Sequence, residues 1–143
     1  AEQVIAVCHR HGARIVLNAE PQLAMQLGAD GVHLTSERLL QIKARPGAAS
    51  LLIGASCHAA TELQHAQICG LDYAVLGPIL PTTSHPDATP LGWDGFAQLV
   101  RDSHLPVYAI GGIQSGDLDR VRERGGYGLA AIRGLWDHRP ETV

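Results

Sequence analysis

The chain has 143 residues, 45% hydrophobic and 17% charged, a size and balance that allow one packed core and exclude a disordered or fibrous chain. Its formal net charge is −3 and its Lys and Arg residues are scattered, so no polyanion-binding surface and no nucleic-acid partner are expected. No apolar run approaches the roughly 18 residues that cross a bilayer, and the first residues lack a secretory pattern, so the expectation is a cytoplasmic location with no membrane partner.

In chain order, "AEQVIAVCHRHG" reads as the final turns of a helix with no strand before it. "RIVL" (14–17) is the first strand-like run, and "LGADGVHL" from Leu27 leads into the second through a glycine suited to a helix C-cap. The phrase returns as "CGLDYAVL" from Cys69 and "RGGYGLAAI" from Arg124, the mark of a repeated helix-to-strand junction. "LLIGA" (51–55) and "PVYAI" (106–110) bring the candidate strands to six. Between them apolar residues fall at helical spacing: Leu23, Ala24 and Leu27; Leu39 and Leu40; Leu63 and Ala66; Phe96, Leu99 and Val100; Leu118 and Val121. Ser36, Asp94 and Ser115 are the candidate N-caps.

Apolar strands alternating with helices predict a parallel sheet covered by helices, an α/β fold that is either a (β/α) barrel or an open doubly wound sheet. A closed barrel needs eight strands. The expectation is therefore one domain, 1–143, forming a C-terminal portion of about six strands that lacks the N-terminal ones. Its open sheet edges would call for covering, with a homo-oligomer as one means. Cys8, Cys57 and Cys69 are odd in number and form no C-x-x-C pair, so neither a disulfide framework nor a zinc site is expected. Cys57 follows Ser56 at an expected strand end, where a side chain can face a ligand. Residues 77–92, "GPILPTTSHPDATPLG", are the longest non-periodic stretch, and loops of that length are often functional.

Gly111 and Gly112 follow the strand that ends at Ile110. Two residues without Cβ either permit a tight turn at positive φ or let backbone N–H groups approach an anion, with a helix start adding its dipole. Ile132, Arg133 and Gly134 end the next strand unit, and sites after neighbouring strands form the recurrent phosphate site of barrels.

Taken in order, "VLNAE", "GADGVHL", "IGASCH", "LDYAVLGPILPT", "AIGGI" and "LAAIRGLW" resemble the thiamine-phosphate synthase and thiazole tautomerase (TenI-like) family along nearly the whole chain. The resemblance implies a (β/α)8 TIM barrel. It also implies a transferase chemistry in which a hydroxymethylpyrimidine diphosphate, with Mg²⁺ on the diphosphate, ionises and is captured by a thiazole phosphate. It would make Gly111, Gly112, Ile132 and Arg133 binders of the thiazole phosphate, place Asn18, Thr82 and Ser84 at the ligand, and set Ser56 near the diphosphate.

The sequence departs from that pattern where the metal would bind. Ala19 stands for one metal aspartate and Arg38 for the other, so no metal site is expected unless Glu20 or Glu37 substitutes. His85 replaces a diphosphate-contacting lysine, leaving Ser56 and His85 as candidate catalytic groups, with His85 mostly neutral above a pKa of about 6.5. The tautomerase branch would have a catalytic histidine where Pro78 stands. His33 and His58 are either acid/base groups or hydrogen-bonded structural histidines, and His9, His11, His65, His104 and His138 read as surface residues. Residues 77–96 and the closing "AAIRGLW" also resemble the domain at the C-terminus of bacterial Nudix hydrolases related to 8-oxo-dGTP cleansing enzymes. The expected function is binding of a phosphorylated thiazole or thiamine-phosphate-like ligand with diverged or lost synthase activity. The alternatives are an active synthase and a companion of an N-terminal Nudix domain.

Overall fold

The structure, a computed structural model, describes residues 1–84 and 86–132. Helix and strand alternate: α1 (Glu2–Arg10), β1 (Val16–Leu17), α2 (Pro21–Leu27), β2 (Gly31–Leu34), α3 (Ser36–Gln41), β3 (Leu52–Cys57), α4 (Ala60–Ile68), β4 (Tyr73–Leu76), α5 (Gly92–Arg101), β5 (Val107–Ile110), a 3-10 turn (Ser115–Asp117), α6 (Leu118–Glu123) and β6 (Gly128–Ala130). All six expected strands are present. The chain divides into two compact units, residues 1–74 and 75–143, with the boundary inside β4.

The recurring phrase is one physical device used three times. Gly28, Gly70 and Gly125 take φ of +73°, +71° and +86°, open to a residue without Cβ. Their N–H groups donate to Met25, Gln67 and Arg122, and the N–H of the next residue donates back to Ala24, Ala66 and Val121, so a Schellman turn stops each helix. Asp30 and Asp72 then tie the turn to the neighbouring strand. Asp30 N–H donates to Ile15 O (2.9 Å) and its carboxylate accepts Ile15 N–H (2.8 Å). Asp72 does the same with Ile53, at 2.8 and 2.7 Å. In the third copy Tyr127 takes the aspartate's place, and only the backbone bond to Val107 O remains of the pair.

In the first unit β1, β2 and β3 are parallel, with Val16 opposite Gly31 and His33 opposite Gly54. One sheet face, Val32 and Leu34 of β2 with Ile53, Ala55 and Cys57 of β3, is fully covered along with Ala24, Leu39, Leu63 and Ala66 of the helices. The other face carries His33, Leu52, Gly54, Ser56 and Tyr73, so alternation along the strands puts the polar side chains of His33, Ser56 and Tyr73 on it. In the second unit β5 and β6 are parallel, with Ile110 opposite Ala130. Phe96 and Val121 are completely buried and meet over Gly126, where a Cβ would lie 2.8 Å from the phenyl ring.

The helix starts differ from expectation. Thr35, not Ser36, caps α3, because it is the last extended residue and its hydroxyl reaches Arg38 N–H (3.3 Å). Ser36 is already helical and donates instead to Glu62 (2.5 Å), which also accepts His58 N–H. Asp94 sits inside the first turn of α5, paired with Arg124 at 2.5 Å. Gln114 rather than Ser115 caps the 3-10 turn, in a reciprocal capping box with Asp117. His65 is not a surface residue: it is half-buried, with Nε2 2.9 Å from Ile42 O.

Candidate functional site

The double glycine of the second unit lies at the C-terminal end of β5. Ile110 O accepts Ile79 N–H (2.9 Å) and Gly111 O accepts Leu80 N–H (3.0 Å), which lays the segment after β4 against this junction. Gly111 and Gly112 have φ of +95° and +69°. A Cβ on Gly111 would stand 2.7 Å from Pro78, and one on Gly112 would stand 2.6 Å from Pro81 O and 2.7 Å from Leu80. Both glycines are thus fixed by conformation and by close approach, so the turn reading accounts for them.

The backbone polarity of the junction goes further. Among the described residues, the N–H groups of Gly112 and Ile113 have no backbone acceptor, whereas Gln114 N–H is taken by Asp117 at 2.8 Å. Gly112 is exposed, while the Ile113 side chain is buried and anchors the loop. Successive N–H groups on a glycine loop form an anion-binding concavity. The register of β5 and β6 brings the residues after Ala130 beside Gly111, and Ile132 there is 64% exposed. Thr82 accepts Ser84 N–H (3.4 Å) in a local turn of the preceding loop. His85 and Arg133 lie outside the described residues.

In the first unit, Asn18 is exposed just after β1, Ala19 is half-buried, and Glu20 is ion-paired with Arg38. This donor set does not fit a hard divalent cation. A methyl group and a guanidinium occupy two positions, and the guanidinium holds the neighbouring carboxylate. Glu37, the other substitute, is exposed in the first turn of α3. No group of three or more His, Cys, Asp or Glu suited to a metal occurs among the described residues.

Ser56 belongs to a polar network. His33 Nε2 is 2.9 Å from Ser56 Oγ, and its Nδ1 is 3.0 Å from the hydroxyl of Tyr73. His33 is therefore hydrogen-bonded at both nitrogens, and burial pushes its pKa below the usual histidine value. His58 is exposed beyond β3, its N–H held by Glu62. Cys57 does not face the side of Ser56: it is fully buried on the opposite face with Ile53 and Ala55, and desolvation, aided by Glu62, pushes its thiol up to about 12. A cleft of about 460 Å³ near the starts of β2 and β3 includes Arg14, Asp30, Arg45 and Asp72, remote along β3 from Ser56. Arg45 there is bound to Asp72, Leu51 O and Gly70 O, so its charge is already spent within the protein.

Sequence reasoning missed Tyr73, Gly54 and Glu62. A Cβ on Gly54 would collide with the Tyr73 ring, and the glycine leaves room for that ring to reach His33, with centroids 5.7 Å apart. An isolated glycine inside the strand pattern "LIGASC" was the available signal, since it marks close approach of another group.

A family model described as thiamine monophosphate synthase (TMP-TENI) matches residues 1–135. A thiamine-phosphate synthase of Streptococcus suis is 36% identical over 137 residues, covering 94% of this chain and 60% of the relative. A thiamine biosynthesis bifunctional protein ThiM/ThiE of Symbiobacterium thermophilum is 42% identical over 137 residues, 92% of this chain and 28% of the relative. The chain thus spans 60% of the first relative's length and 28% of the second's, less than two thirds of either. Among solved structures, the thiamine phosphate pyrophosphorylase from Pyrococcus furiosus superposes with a TM-score of 0.71 at 29% identity, covering 92% of this chain and 62% of that one.

Proposed function

We propose that this chain, which belongs to the thiamine monophosphate synthase family and has its TIM-barrel type of α/β fold, binds a phosphorylated thiazole or a thiamine-phosphate-like ligand, with its synthase chemistry diverged or lost. The observation that carries the reading is the pair of N–H groups at Gly112 and Ile113 that have no backbone acceptor among the described residues, on an exposed glycine loop at a strand end. They would hold the phosphate through backbone, and Ile132 and Arg133 follow the adjoining strand β6. In the same unit Thr82 and Ser84 would add neutral polar groups, with His85 in the same loop; Ser56 and Asn18, in the first unit, keep the ligand roles that the family resemblance implies for them.

The Glu20–Arg38 pair supports the lapse of Mg²⁺-dependent turnover, because the carboxylate nearest the lost metal position is neutralised from within. An active synthase would have to find its electrophilic assistance in guanidinium or imidazole groups. The companion role beside a Nudix domain rests on sequence resemblance alone. The test is an amide-resolved NMR titration with thiazole phosphate, the unphosphorylated thiazole alcohol and inorganic phosphate. The reading predicts that both phosphate-bearing probes shift Gly112 and Ile113 while the alcohol does not. Shifts that avoid these two amides would overturn it.

A further inference from the structure

Tyr73, His33 and Ser56 stand in line on β4, β2 and β3, and Gly54, opposite His33 in the register, provides the gap through which the Tyr73 ring reaches the imidazole. We propose that Tyr73 and His33 are positioning residues that fix the polarity of the Ser56 hydroxyl: Tyr73 O–H donates to His33 Nδ1, His33 Nε2–H donates to Ser56 Oγ, and Ser56 O–H is left to donate to an acceptor atom of a ligand.

The argument is one of donor counting. A neutral imidazole has one N–H donor and one acceptor nitrogen, so its two hydroxyl partners must take opposite roles. A phenol, with a pKa near 10, is a better donor than an aliphatic alcohol, and its ring-conjugated oxygen is a poorer acceptor. Tyr73 therefore takes the donor role and Ser56 the acceptor role. The reverse tautomer would turn the serine proton onto His33 and leave its oxygen to accept from a ligand donor. His33 remains neutral because burial disfavours its charged form. The facing ligand atom is then an acceptor, a phosphate oxygen or an unprotonated ring nitrogen. That last step rests on the proposed function, but the tautomer does not.

The experiment has two arms. In the first, the full chain with ¹⁵N-labelled histidine is examined without ligand by long-range ¹H–¹⁵N correlation, the His33 signals being assigned by their loss in His33→Gln or their shift in Ser56→Ala. An Nε2-protonated His33 is expected, and an Nδ1-protonated ring overturns the proposal. In the second, affinities for thiazole phosphate and thiamine phosphate are compared in Tyr73→Phe, Ser56→Ala and the double variant. Each single substitution should weaken binding by about tenfold, one hydrogen bond's worth, and the double variant should be no weaker than Ser56→Ala. Losses that simply add would remove Tyr73 from the relay. If neither ligand binds the wild type, the proposed function fails while the first arm still decides the tautomer.

Discussion

The guanidinium of Arg38 is ion-paired with the carboxylate of Glu20, on helix α3 and at the start of α2. An internal cation thereby occupies the neighbourhood where the family resemblance implies a metal aspartate. Charge reversal at that one position would change both the metal affinity and the partner of Glu20.

Restoring the acids should restore the ion. The variant Ala19→Asp/Arg38→Asp is expected to gain a Mg²⁺-dependent rise in melting temperature that the wild type lacks. At a Mg²⁺ concentration ten times its Kd, the gain corresponds to about 1.4 kcal/mol. A differential scanning measurement in Mg²⁺ and in EDTA checks this, and an equal Mg²⁺ response in the wild type would contradict the lapse of the metal site.

Gly54→Ala should destabilise the fold by about 1–3 kcal/mol, the usual cost of overpacking, because the added methyl group enters the space of the Tyr73 ring. Adding Tyr73→Ser should recover part of the loss by removing that ring. Urea denaturation of the wild type and the two variants tests the contact, and a fully stable Gly54→Ala would place the ring elsewhere.

His33 gives a signed pH dependence. Its folded pKa is depressed, so the unfolded chain binds the proton more readily. The stabilisation from neutral His33 is complete above the unfolded value of about 6.5 and is lost as pH falls through the folded value. His33→Gln should flatten this part of the stability profile. A profile unchanged by that substitution would assign the effect to other groups.

Asp72→Ala should destabilise by about 1–3 kcal/mol, since it leaves Ile53 N–H without its carboxylate and takes Arg45 from its acid. Equilibrium unfolding reads the loss. Because Arg45 also grips Leu51 O and Gly70 O, Asp72→Asn should retain part of the junction and lose less.

Much of this was legible in the chain. The phrase around Gly28, Gly70 and Gly125 announces its own turn, because a left-handed residue at a helix end has a local cause. Strand identity followed from the same punctuation. Cap identity did not, since Thr35 and Ser36 are chemically equivalent caps and only the entry geometry decides between them. The polar face resisted reading for a different reason: Tyr73 reaches His33 from 40 residues away, and Gly54 signals a close approach without telling which distant residue makes it. Gly111 and Gly112 were legible as a demand for bare backbone, but the close approach of Pro78, Leu80 and Pro81 comes from packing of the preceding loop.

A side chain at Gly112 would collide with Pro81 O, so the phosphate is best varied on the ligand rather than on the protein. The most direct measurement is isothermal titration of the full-length protein with thiazole phosphate and with the thiazole alcohol, each in Mg²⁺ and in EDTA. The account predicts that the phosphate ester binds at least about tenfold tighter than the alcohol, a difference of about 1.4 kcal/mol, and that Mg²⁺ leaves both affinities unchanged. Equal affinities for the two thiazoles, or binding that requires Mg²⁺, would contradict it.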